Sequence, residues 1–222
     1  MTLALPWIDL DLDLGPSLVR ALPSGDDRAA ARDVDQRLAA RAGAGDRRAF
    51  DELYRRHADW VYRRLTRLIG PRPEREDLMQ HVFLEAYRAL PGFRGEAAFS
   101  TFLYRIVVNV AYDHLRRRRP QQVSWDELDG GEAGELGELC APGASPEVAA
   151  RERQQLERVL SCLNRIKPKK RIAFVLRVVE GLSLEEIAEV VGANAPAVGQ
   201  RVKHAHREVC AMLERLTRRE TP

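Results

Sequence analysis

The chain has 222 residues, 45% hydrophobic and 31% charged, with a net charge of +3. That length suits one large domain or two small ones, and no apolar run is long enough to span a bilayer. The N-terminus lacks the basic-then-apolar signature of an export signal, and Cys140, Cys162 and Cys210 form no CxxC pair or zinc pattern. A cytoplasmic protein without metal or cofactor is therefore expected.

The small net charge hides a division. Residues 1–35 carry 3 basic and 7 acidic groups, 36–92 carry 12 and 8, and 93–119 carry 6 and 2. Residues 120–147 carry no basic and 7 acidic groups, and 148–222 carry 15 and 9. Two basic blocks joined by an acidic connector suggest two surfaces that face a polyanion and a linker that avoids it.

In chain order, residues 1–35 alternate apolar and acidic residues from Ile8 to Leu14 and then meet Gly15-Pro16 and Pro23. A lone strand pattern without a hairpin partner is not stable, so a mostly disordered extension is expected. Helical spacing begins near Val34 and continues through Phe50, Leu53, Tyr54, His57, Val61, Leu65 and Leu68 until Gly70-Pro71 breaks it. His57 falls within the apolar stripe and reads as a core histidine. The next helix starts at Pro73-Glu74, with Glu76 and Asp77 in its first turn, where acids suit the helix dipole. Leu78, Val82, Ala86 and Ala89 are its expected core face; Asp77, Gln80, His81, Leu84 and Arg88 form the other. Leu84 within that polar stripe hints at a docking surface.

The loop Phe93-Arg94-Gly95-Glu96-Ala97-Ala98-Phe99 follows and runs into the helix Ser100–Arg119. Leu103, Val107, Val110 and His114 share one face of that helix. Arg105, Asn109, Tyr112 and Arg116 line the other, ahead of Arg117, Arg118 and Arg119. An amide can bond a base edge, a ring can stack on an unpaired base and arginines can hold phosphates. A solvated basic helix end would account for the face equally well. Residues 120–147, rich in Gly, Pro and acids, read as a flexible linker.

The last block, 148–222, is helical throughout. Ser183-Leu184-Glu185-Glu186 is a capping box, Gly192 a C-terminal stop, and a second helix restarts at Pro196. A short capped helix, a glycine-opened turn and a second helix make a helix-turn-helix. Val198 and Val202 anchor the second helix, which leaves Ala197, Gln200, Arg201, Lys203, His204 and Arg207 for DNA, amid Lys167, Lys169, Lys170 and Arg171. Arg201 reads alternatively as a structural ion-pair partner.

On these residues the chain resembles the extracytoplasmic-function (ECF) sigma factors, promoter-recognition subunits of bacterial RNA polymerase. The resemblance is carried by Phe50-Asp51-Glu52-Leu53-Tyr54, Glu76-Asp77-Leu78-Met79-Gln80, Phe93-Arg94-Gly95-Glu96, Phe99 through Ile106, Asn109, Glu180-Gly181-Leu182-Ser183, Glu186-Ile187-Ala188, Val198 and Arg201. It implies an all-α protein of two small helical domains, sigma domain two over 36–119 and sigma domain four over 148–222, without enzymatic activity of its own. It further implies that Asp77, Gln80, His81 and Leu84 dock on the β′ subunit of core polymerase, with β the second core partner. Phe93, Arg94, Phe99 and Asn109 would capture a flipped minus-ten base, while Arg105, Tyr112 and Arg116 to Arg119 hold the strand. Ala197, Gln200, Arg201, Lys203, His204 and Arg207 would read the minus-thirty-five element of promoter DNA. An anti-sigma factor is a further expected partner. His81 stands where the family usually has Glu, and Gly199 where it has Lys. The rivals are a regulator that binds duplex DNA only, a helical metal enzyme built on Asp77, His81 and Glu85, and an interaction protein with a vestigial helix-turn-helix.

Overall fold

The computed structural model describes residues 25–70, 72–117 and 158–220, with side chains over 31–70, 72–117 and 158–216. Residues 1–24, the acidic linker, Arg118 and Arg119 lie outside the described residues. Among the described residues every regular element is helical. The N-terminal half holds α1 (Gly25–Gly43), α2 (Arg47–Ile69), α3 (Arg75–Ala89), a 3-10 turn (Leu90–Gly92) and α4 (Phe99–Arg117). The C-terminal half holds α5 (158–165), α6 (Pro168–Val178), α7 (Leu184–Val191) and α8 (Ala195–Glu220).

Local chemistry sets the boundaries. Gly45, at φ 99°, turns α1 into α2, and the Asp46 carboxylate caps α2 by accepting from the Ala49 amide at 3.2 Å. Gly70 closes α2 at φ 84°. The capping box at Ser183 is formed in both directions, with Glu186 N–H donating to Ser183 Oγ at 3.1 Å and Ser183 N–H to Glu186 Oε2 at 2.8 Å. Gly192 ends α7 in the left-handed region at φ 63°. Asn194 then caps α8 by accepting from the Ala197 amide.

Three expectations need correction. α1 begins at Gly25, upstream of the apolar period at Val34, so residues 25–35 are helical rather than part of an unstructured extension. Its periodicity is faint because alanines, Ala39 and Ala42 among them, make the contact. On α3 the buried face is Val82, Phe83 and Ala86, continued by Leu90, while Ala89 is exposed. The helix is apolar on several sides, and the larger Phe83 takes the core position. Lys170 and Arg171 do not contribute to a DNA-facing basic patch: Lys170 pairs with Glu208 on α8 at 2.5 Å, and Arg171 is 2% exposed.

Leu53, Val61, Leu65, Val82, Phe83, Phe99, Leu103 and Val107 fill the core of the first half; Ile172, Val175, Leu176, Ile187, Val198 and Ala205 fill the second. Each large apolar side chain withdrawn from water contributes about 1.5–3 kcal/mol. Gly43 packs so tightly on the 3-10 turn that a Cβ there would stand 2.9 Å from the Leu90 carbonyl oxygen, which explains a glycine inside the last turn of α1.

The two halves are clamped together. Arg171 Nε donates to the Leu68 carbonyl at 2.8 Å, and Arg72 Nη2 donates to Asn164 Oδ1 at 3.0 Å. Glu180, its side chain only 2% exposed, accepts the Arg64 and Arg67 guanidiniums together. Arg64 also lies 5.3 Å from the Trp60 ring and 5.5 Å from the Tyr104 ring, a cation–π arrangement. Burial pushes the Tyr104 phenol up to about 12, so it stays neutral beside these cations.

Candidate nucleic-acid interface

The loop between the 3-10 turn and α4 is pinned by its aromatic ends. Phe93 packs on Phe102 with ring centroids 4.8 Å apart and on Phe99 at 6.2 Å. Arg94, Gly95 and Glu96 are exposed at its tip, and Gly95 adopts φ 75°, a turn that favours glycine. Phe99 does not belong among base-contacting residues. It is 1% exposed and lies against Phe93, Phe102 and the edge of His57. It anchors the loop from below because the helix start turns its ring inward.

On α4 the expected stripe exists. Asn109, Arg116 and Arg117 are exposed, and Arg105 and Tyr112 are half-buried. Arg116 pairs with Asp113 at 3.2 Å. Arg105 reaches across to the C-terminal half, donating to Glu189 on α7 at 3.1 Å. His114, on the aliphatic side, has its pKa lowered by burial.

On α8, Gln200, Lys203 and Arg207 are exposed at steps of three and four, one outward face; Ala197, Arg201 and His204 are half-buried beside it. Arg201 faces the other half of the molecule. With Lys169, Gly192 and Ala193 it lines a cleft of about 130 Å³ whose opposite wall is Asn109 and Tyr112. That volume has no room for a duplex. Asn109 and Tyr112 thus face Arg201 across this cleft, while Gln200, Lys203 and Arg207 stay exposed on α8.

Gly199 lies inside the helix-turn-helix, where a Cβ would stand 3.4 Å from Leu184 Cδ1, an ordinary contact. Gly199→Ala is therefore expected to stabilise the C-terminal half by up to about 1 kcal/mol, read as a raised thermal midpoint.

α3 presents a third face. Asp77, Gln80, His81 and Leu84 are all exposed along it, Leu84 at 47%. His81 sits 3.7 Å from Glu85, which also accepts from Arg88 at 2.8 Å. Among the described residues no group of three or more His, Cys, Asp or Glu side chains is placed to hold a metal.

Residues 53–121 match the family model for sigma-70 region 2, and residues 156–209 match that for sigma-70 region 4. The chain is 34% identical over 189 residues to the RNA polymerase sigma-H factor of Pseudomonas aeruginosa, covering 84% of this chain and 97% of that one. The ECF sigma-E factor of Escherichia coli K12 is 33% identical over 188 residues, with the same coverage of both chains. The chain belongs to the ECF sigma factors. Among solved structures, CnrH in complex with the cytosolic domain of CnrY superposes with a TM-score of 0.54 at 29% identity, over 82% of this sigma factor and 97% of CnrH. The sigma factor RpoE of Bartonella quintana, bound to the anti-sigma factor NepR, shares the fold at 19% identity and a TM-score of 0.50, over 74% and 96% of the two chains.

Two groups of residues escaped sequence reasoning in this sigma factor. One is the interdomain clamp, whose partners lie 92 or more residues apart. The other is Asp35 and Gln36 on α1, polar residues at the very start of the helical period. Asp35 is buried and accepts from Arg56 Nε at 2.8 Å, with His57 Nε2 at 2.9 Å. Burial opposes its charge, but hydrogen bonds from His57 and Arg56 more than offset that and hold the carboxyl below its ordinary range.

Proposed function

We propose that this chain confers promoter recognition on a bacterial RNA polymerase, acting in the cytoplasm and leaving the chemistry of RNA synthesis to the core enzyme. The exposed row Asp77, Gln80, His81 and Leu84 on α3 docks on the β′ subunit, and the C-terminal half engages β. The loop 93–99 and Asn109 together receive an extruded minus-ten base, with Phe93 and Arg94 at the rim of the loop and Phe99 as its anchor. Unstacking a base costs a few kcal/mol, which pocket contacts and stacking on Tyr112 offset. Arg105 and Arg116 to Arg119 hold phosphates. Gln200, Lys203 and Arg207, flanked by Ala197, Arg201 and His204, enter the major groove at the minus-thirty-five element. Phosphate contacts set the register and base contacts give the sequence.

The carrying observation is that one half holds a pinned aromatic loop leading into a helix that exposes Asn109, while a fully capped helix-turn-helix stands in the other. A duplex-only regulator gives no reason for the first. Because Arg105 is paired with Glu189, and Asn109 and Tyr112 face Arg201 across a narrow cleft, the halves separate before the minus-ten strand is engaged. The likeness to CnrH, solved with a bound partner, supports an anti-sigma factor that holds this chain inactive.

Run-off transcription with core polymerase and a library of randomised promoters tests the reading. Specific transcripts dependent on this chain, with conserved bases in two spaced elements, are expected. If folded protein yields none while a control sigma factor works on the same core, the reading is rejected in favour of a duplex-binding regulator.

A further inference from the structure

Gln36 lies on α1, upstream of the matched region 53–121. Its side-chain amide crosses to the loop 93–99, where Nε2 donates to the Gly95 carbonyl at 2.7 Å and to the Ala97 carbonyl at 3.0 Å. The same nitrogen would be 3.3 Å from a Cβ at Gly95, so the amide and the glycine turn are fitted to each other. One residue earlier, Asp35 holds His57, whose ring lies edge-on to Phe99 at 5.2 Å. α1 therefore fixes the loop twice, at its centre through Gln36 and at its anchor through Asp35 and His57.

The other end of the amide is as informative. Gln36 Oε1 is buried without a hydrogen-bond partner. Turning the amide over would set oxygen against two carbonyl oxygens, so the donor end is committed to the loop and the acceptor is stranded. A stranded buried acceptor is unfavourable. A side chain chosen for stability alone would be apolar here; one chosen to shape the loop needs the two N–H groups.

We propose that Gln36 is a positioning residue for base capture: its amide sets the shape of the 93–99 loop, and so the sharpness with which the minus-ten base is discriminated. The proposal rests on the base-capture reading above and deepens it. The two are told apart by testing the full chain bound to core polymerase, on a promoter from the randomised library and all its single-base variants. Gln36→Met keeps the length and removes both donors. It is expected to lower discrimination at one minus-ten position at least about fivefold, while minus-thirty-five discrimination and the thermal midpoint stay at wild-type values. Gln36→Glu sets a carboxylate against the two carbonyls and is expected to lose more. Unchanged discrimination in both variants overturns the proposal. So does a uniform loss over both elements with a lowered midpoint, which makes Gln36 a fold residue only. Absence of any single-base preference in the wild-type minus-ten profile instead sinks the base-capture reading itself.

Discussion

Replacing Glu180 with alanine is expected to open the molecule. Glu180 is the shared counter-ion of Arg64 and Arg67, and desolvation lowers the pKa of both arginines, a sign that their charges sit in a poor solvent. Without the carboxylate, closure leaves two partly buried cations uncompensated, whereas in the open chain they regain water. Removing one partner of such an arrangement costs about 3–5 kcal/mol, here charged to the closed form alone, so the closure equilibrium falls by about a hundredfold or more. Small-angle scattering should give a larger radius of gyration, and affinity for promoter DNA should rise, although Glu180 touches no DNA-facing residue. An unchanged radius of gyration would show that the Arg171 and Arg72 links suffice to hold the halves.

The second large effect is expected at Phe99. As a fully buried ring among Phe93, Phe102 and His57, its truncation to alanine should cost about 3–5 kcal/mol and lower the thermal midpoint of the N-terminal half by more than about 10 °C. Phe99→Leu, which refills most of the space, should recover much of that. A base-contacting phenylalanine would behave in the opposite way, with stability kept and minus-ten binding lost. Thermal unfolding of the two variants beside Phe93→Ala, whose ring is only half-buried, separates anchor from contact.

What was legible in the sequence was local. The helix-turn-helix could be read because its signals span a few residues: a reciprocal cap at Ser183 and Glu186, a left-handed Gly192, and a restart. The stripe Arg105, Asn109, Tyr112 and Arg116 could be read because helical geometry alone sorts it. α3 was harder, since apolar residues on several sides let periodicity favour Ala89 over Phe83, and only the volume of the core decides. Phe99 looked like a loop residue because burial of a ring at a helix start depends on what lies beneath it. Asp35 and Gln36 are polar residues on an alanine-rich helix; their roles come from partners far along the chain. The clamp was invisible for the same reason: nothing near Glu180 or Arg171 reveals Arg64 or Leu68.

The clamp between the halves has a thermodynamic consequence for the two ligands of such a chain. If polymerase and promoter both require the separated halves, each binds only the open fraction, and its apparent affinity is scaled down by that fraction. Whichever binds first removes the handicap for the other. They then become reciprocal activators without sharing a contact, with a coupling free energy no larger than that of closure. Substitutions at Glu180 or Arg171 would tune this coupling, strengthening binding of either ligand alone while leaving the affinity of the second, measured with the first already bound, almost unmoved.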